Sequence, residues 1–146
     1  MGSTVEVPGR QQSLSDEEVV AQVLAGNADM FEVLMRRYNQ RLYRVARAIL
    51  RNDDEAEDVM QDAYVRAYEH LDQFAGRAKF STWLTRIAVH EALARQHRGK
   101  RYARVGGEAR QAFSFHAVRC DRVVKMVFER IHKRAAGTQG SKANTQ

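Results

Sequence analysis

Apolar residues recur every three or four positions along most of this chain, and nowhere do they alternate in the two-residue rhythm of a strand. Five helices are predicted. Leu14-Ser15-Asp16-Glu17-Glu18-Val19 opens the first: Ser15 can cap, Glu18 can return the capping-box bond, and Leu14 can staple to Val19. That helix should stop near Gly26. A second is expected over 28–50, with Phe31, Leu34, Met35, Tyr38, Leu42, Val45, Ala46, Ile49 and Leu50 on one side and Arg37, Arg41, Arg44, Arg47 and Arg51 opposite. Asn52-Asp53-Asp54-Glu55 supplies a turn and a new cap, with acids where they favour the helix dipole. The third helix, over 53–72, has a stripe of Ala56, Val59, Met60, Ala63, Tyr64, Ala67, Tyr68 and Leu71. Its outer face is Glu55, Asp58, Gln61, Asp62 and Glu69. A short loop at 74–78 precedes a fourth helix over 79–97, with Phe80, Trp83, Leu84, Ile87, Ala88 and Ala94 as its apolar side. A fifth, over 118–134, sets Val118, Val123, Val124, Val127, Phe128 and Ile131 against Arg and Lys.

The expected architecture is therefore all-α. A bundle of three to four helices over 14–98 is followed by a basic linker at 99–117 and one isolated amphipathic helix at 118–134. Residues 1–13 and 135–146 are expected to be disordered. The fifth helix has nothing after it to pack against. It folds back on the first four, or pairs with another chain, which makes 118–134 a candidate homodimer contact, or its own partner is missing.

Length and composition narrow the class. A chain of 146 residues holds one ordinary domain, and its single Cys excludes a disulfide scaffold or a Cys-based zinc cluster. No run of 18 apolar residues exists and the N-terminus has no apolar core segment, so a cytoplasmic protein without a membrane span is expected. Charge changes the picture more. The net charge is +6, yet residues 1–78 carry 9 basic and 14 acidic side chains while residues 79–146 carry 15 and 4. One half is acidic and the other strongly basic, which suggests a polyanionic partner, nucleic acid first.

Catalytic chemistry has little support, and no cofactor or metal is implied. His70, His90, His97, His116 and His132 fall in no metal-ligand spacing, and adjacent positions such as His90 and Glu91 diverge on a helix. Cys120 is a lone thiol. No glycine-rich phosphate loop occurs, so the chain is not read as an enzyme. More informative is the aromatic group Phe74, Phe80, Trp83 and Tyr102, interleaved with Arg77, Lys79, Arg86, Arg95, Arg98 and Lys100. Basic grooves with rings that take exposed bases are how single strands are bound. Ser81 and Thr82, near a helix start, can donate to phosphate. The same 80, 83, 84, 87 spacing also suits a core, so both uses stay open.

Two runs then carry a family resemblance. Asp54-Glu55-Ala56-Glu57-Asp58-Val59-Met60-Gln61-Asp62-Ala63-Tyr64-Val65-Arg66-Ala67-Tyr68, followed by Phe80-Ser81-Thr82-Trp83-Leu84-Thr85-Arg86-Ile87-Ala88, closely resembles region 2 of bacterial RNA polymerase sigma factors of the extracytoplasmic-function group. The likeness covers about residues 28–98, with 14–27 similar to the group's short leading helix. It implies a transcription initiation factor that docks on polymerase core and recognises and melts the promoter −10 element. On that resemblance Glu55, Asp58, Gln61, Asp62 and Arg66 fall on the surface that meets the coiled coil of the largest polymerase subunit. Lys79, Phe80, Ser81, Thr82 and Trp83, with Arg86 and Arg98 beside them, fall where the family holds the unpaired −10 strand. His90, Glu91 and Arg95 match the helix face at the upstream end of that element. Position 90 is commonly Asn in the family, and His offers different donors and acceptors, which alters the base preferred there.

The C-terminal part departs from the pattern. Arg119-Cys120-Asp121-Arg122-Val123-Val124 resembles the opening helix of the family's second domain, yet the sequence ends before a helix-turn-helix for the −35 element. The expectation is a factor without that reader, whose grip on promoters is weakened by loss of the second site. The alternative is a protein-interaction module or decoy that binds an anti-sigma factor or polymerase without supporting initiation.

Overall fold

Helix-forming residues run almost unbroken from Asp16, and a few capping and left-handed positions divide them into separate helices. The computed structural model describes residues 14–99 and 117–142. Expectations for 1–13, for the linker at 100–116 and for 143–146 lie outside those residues. The described elements are α1 (Asp16–Leu24), α2 (Phe31–Leu50), α3 (Asp53–Glu69), α4 (Phe80–Gly99) and α5 (Ala117–Lys142). Short 3-10 turns at Ala28–Met30 and Leu71–Gln73 lead into α2 and out of α3. The described residues are all helix, turn and loop, with no strand.

Ser15 caps α1, its hydroxyl accepting the amide of Glu18 at 3.1 Å. The helix ends at Ala25, and Gly26 follows at φ +111, a backbone region that strains any residue with a Cβ. At the end of α2, Arg51 takes the left-handed conformation at φ 57. Asn52 then caps α3 by accepting from the Glu55 amide at 3.0 Å. Two residues thus turn α2 into α3. The joint is clamped through Asp53, whose Oδ1 accepts from the Tyr43 hydroxyl at 2.7 Å and from Arg47 Nε at 2.6 Å. Those bonds hold the Asp53 carboxyl below its ordinary value, the tyrosine bond most of all.

α3 is the central helix, packed against α2, α4 and α5. Phe31, Leu34, Met35 and Leu42 of α2 are buried with Val59, Met60, Ala63 and Tyr64 of α3 and Phe80 and Leu84 of α4. Each large side chain of this set contributes about 1.5–3 kcal/mol by leaving water. A polar thread runs through the packing. The buried Tyr64 hydroxyl donates to Asn39 Oδ1 at 2.7 Å, and Asn39 Nδ2 donates to Cys120 Sγ at 2.6 Å. Burial drives the Tyr64 phenol well above its ordinary pKa, so it is a neutral donor at all working pH. One hydrogen-bonded string therefore joins α3, α2 and α5.

α5 departs from expectation in two ways. It is not isolated: Val123, Val124, Val127 and Ile131 are buried against the bundle, through contacts with α3 and α2. The apolar face that suggested a homodimer through 118–134 is used inside the chain. It also continues to Lys142, so positions 135–142 are helical where disorder was expected. An amphipathic pattern identifies which face of a helix is greasy but not which surface it meets.

Candidate nucleic-acid interface

The start of α4 is built on a ring cluster. Phe74, in the loop before the helix, meets Phe80 edge-on at 5.5 Å and Trp83 at 5.4 Å, while Phe80 and Trp83 lie 5.7 Å apart. Tyr38 of α2 closes the far side, 6.0 Å from Phe80. Phe80 is only 1% exposed. It is the floor of the cluster rather than a group that can touch a base, which corrects its place among the candidate DNA contacts. Trp83 and Phe74 are half-buried, each with part of its ring outward. Lys79 is exposed, and its carbonyl accepts the amides of Thr82 and Trp83 at 3.0 and 3.1 Å, the first hydrogen bonds of α4. Ser81 and Thr82 are half-buried on the first turn. Gly76, at φ +71, turns the preceding loop.

Beside the first turns lies an open groove of about 350 Å³ between α2 and α4, lined by Arg41, Thr82, Thr85, Arg86, Val89, His90 and Leu93. Neither Arg41 nor Arg86 enters an ion pair among the described residues, so both guanidinium groups are available to an anion. Thr85 is committed inward, its hydroxyl donating to the Ser81 carbonyl at 2.6 Å. Arg41 was read from the sequence only as part of the arginine row opposite the apolar side. Its role as a wall of the groove depends on how α2 crosses α4, which spacing within one helix cannot give. Arg98 is exposed at the end of α4.

The remaining DNA-side candidates have partners within the chain. Glu91 accepts from Arg66 Nε at 2.7 Å, and its side chain is largely covered. Arg95 spans to Asp58 at 3.1 Å and stands 3.9 Å from Glu55. Two residues assigned to DNA are thus held by three assigned to the acidic surface, and the two sites share an edge where α4 lies along α3. On the acidic side Asp58 keeps 55% of its side chain in solvent and Asp62 keeps 38%. Gln61 is 9% exposed, so it packs inward and is not part of an outer face. Sequence reading also missed Glu57. Its carboxylate is 5% exposed as a residue and accepts Arg122 Nε and Nη2 at 2.5 Å each. Its neighbours Ala56 and Val59 suggested a plain apolar stripe, and only a helix laid over it explains its burial.

At the opposite edge, Asp16 of α1 accepts from Arg37 at 3.0 Å and from the Tyr38 hydroxyl. Burial, with that bond second, pushes the Tyr38 phenol up to about 12. Among the described residues no helix is long and apolar enough to cross a membrane.

Comparison with known proteins fits this geometry. Residues 34–102 match the sigma-70 region 2 family. Over 92 residues the chain is 37% identical to the ECF RNA polymerase sigma factor SigM of Mycobacterium tuberculosis, covering 63% of this chain and 47% of that protein. It is 38% identical over 81 residues to the ECF RNA polymerase sigma factor SigW of Bacillus subtilis, covering 56% and 43%. It is 36% identical over 81 residues to the ECF RNA polymerase sigma-E factor of Escherichia coli, covering 56% and 42%. The chain therefore spans less than half the length of these curated relatives.

Proposed function

We propose that this chain, which carries a sigma-70 region 2 domain of the extracytoplasmic-function group, docks on RNA polymerase core and captures the promoter −10 element as a single strand. The observation that carries the reading is the groove beside the ring cluster. Arg41 and Arg86 enter no ion pair among the described residues, Thr82 and His90 line the same groove, and half-buried Trp83 follows Thr82 in the chain. Cationic walls attract phosphates, and a π-face receives any unstacked base. Lys79 and Ser81 extend the set along the strand, and Arg98 extends it along α4.

The mechanism is binding rather than bond-making. Taking a base out of a duplex costs a few kcal/mol, so opening occurs only if the protein binds the open strand better than the closed one. Rings and hydroxyls at the start of α4 supply that difference, because a stacked base offers them no face. Glu55, Asp58, Asp62 and Arg66 form the surface for polymerase, whose coiled coil would meet them with basic side chains. Their sharing of an edge with α4 suits a factor that must hold enzyme and DNA together.

Purified chain is mixed with polymerase core and with a labelled single-stranded −10 oligonucleotide. Both should bind, the oligonucleotide in preference to a scrambled one, and Asp58→Lys should weaken core binding about tenfold. Equal binding to scrambled single strand and generic duplex, without core binding, would sink the reading. The competing reading is a chain that holds polymerase or an anti-sigma factor without supporting initiation, and the hold of Arg130 on Asp62 favours it. It predicts the same core binding but no run-off transcript from an open-strand template.

A further inference from the structure

α5 lies along the very helix assigned to polymerase. Arg122 holds Glu57, Arg130 Nη1 meets Asp62 Oδ1 at 2.8 Å, and Arg134 pairs with Glu69. The order is the same on both helices, so α5 runs parallel to α3. From Glu57 to Glu69 and from Arg122 to Arg134 the spacing is also the same, about 18 Å of helix, while Arg130 reaches back to Asp62 from three residues further along. Beneath the arginines, Val123, Val127 and Ile131 repeat every fourth residue and are buried. A second tie joins α5 to α2, where Arg36 meets Asp121 at 2.9 Å.

We propose that α5 is an intramolecular cover of the polymerase-docking face, a basic amphipathic helix that occupies Asp62 of that face, and Glu69 beyond it on the same helix, until polymerase core displaces it. The inference rests on the docking reading above. Its logic is charge: the surface that would attract a basic coiled coil attracts the chain's own basic helix. The cover is partial. Asp58 and Glu55 lie toward α4 and stay open to a first contact, while Asp62 and Glu69, though partly in solvent, have their carboxylates occupied by α5 arginines that a partner must displace. Exposed ion pairs of this kind fix register more than they add strength, so an incoming partner can exchange with them. Docking affinity then falls by the fraction of molecules in which α5 is seated.

The single thiol reports the seat. Cys120 is half-buried on α5 and accepts from Asn39, so its reaction with a thiol reagent measures how often α5 lifts. The test compares wild type with Arg130→Glu/Arg134→Glu, which leaves the buried Glu57 pair intact. The variant should bind core about tenfold more tightly, and its Cys120 should react about tenfold faster. In wild type, saturating core should also speed reaction of Cys120, followed by mass spectrometry of its peptide. Cys120 equally protected in the wild-type complex and in free chain overturns the cover, as does faster reaction in the variant with unchanged core affinity. Failure of both proteins to bind core overturns the docking reading, and the cover with it.

Discussion

Trp83 is the only tryptophan in the chain, and the proposed function has a captured base stack on it. Its ring contacts Phe74 and Phe80 while the residue stays half-buried, which allows its two roles to be separated. Trp83→Leu keeps an apolar side chain against both rings but removes the π-face. The lost contact with the rings should cost about 1–2 kcal/mol of stability, well short of unfolding a domain of this size. Base stacking on an aromatic ring contributes about 1–3 kcal/mol per base, so binding of a single-stranded −10 oligonucleotide should weaken roughly 5- to 150-fold. Trp83→Phe keeps a π-face and should lose far less. Fluorescence anisotropy of a labelled oligonucleotide at fixed salt reads the affinity, and quenching of the native tryptophan gives an independent signal in wild type. Leu and Phe variants that both bind like wild type, with the domain folded, would refute a stacking role.

Other expectations follow from separate parts of the molecule. Arg122→Ala uncovers a buried carboxylate, but Arg122 is itself half in solvent and water can enter. The expected loss is therefore about 1–3 kcal/mol, below that of a fully sealed pair, and a urea double-mutant cycle with Glu57→Gln should show coupling of about 1 kcal/mol or more. Strict additivity would remove the pair from the account of α5. Arg41→Ala and Arg86→Ala should each flatten the dependence of single-strand affinity on the logarithm of salt by about 0.7, measured by anisotropy; an unchanged slope places that arginine off the phosphate path. The depressed pKa of Asp53 adds stability above its unfolded value of 3.8 that is lost as pH falls through its lower folded value. The stability gap between wild type and Asp53→Asn, about 1 kcal/mol near neutrality, should close on acidification across that window in pH-dependent denaturant titrations.

Much of this molecule is legible along the chain, and the parts that are not share a cause. The apolar stripe of α2 was readable, with Phe31, Leu34, Met35, Leu42 and Ala46 all buried as its spacing predicts. So were the caps, because Ser15 and Asn52 act on amides three residues away. α3 was read less well because it is covered on three sides. The outer polar row read from the sequence therefore contains Gln61, which is buried, and the stripe read from it leaves out Glu57, which is buried as well. Phe80 illustrates the limit for the site. Spacing marked it both as core and as a base contact, and only the closing of Tyr38 over it decides for core. Arg95 carries the right charge for DNA and Glu91 matches only by motif position, but the nearest counter-charges of both come from a helix more than twenty residues earlier. Motif resemblance singled out Thr82, Arg86 and His90, which line the groove, whereas the arginine that walls it from α2 depends on a helix crossing that no local pattern encodes.

The two-residue joint at Arg51 and Asn52 has a consequence for how chains of this kind can vary. Each residue added to a helix advances its azimuth by about 100 degrees. One codon inserted before Asp53 without a compensating loop would tend to rotate the whole of α3, carrying carboxylates toward the hydrocarbon side and methyl groups toward water. Asp53, gripped by Tyr43 and Arg47, fixes the phase of that rotation. Indels should consequently be absent from this hinge among related genes, and the acidic row keeps its aim because the corner before it has no slack.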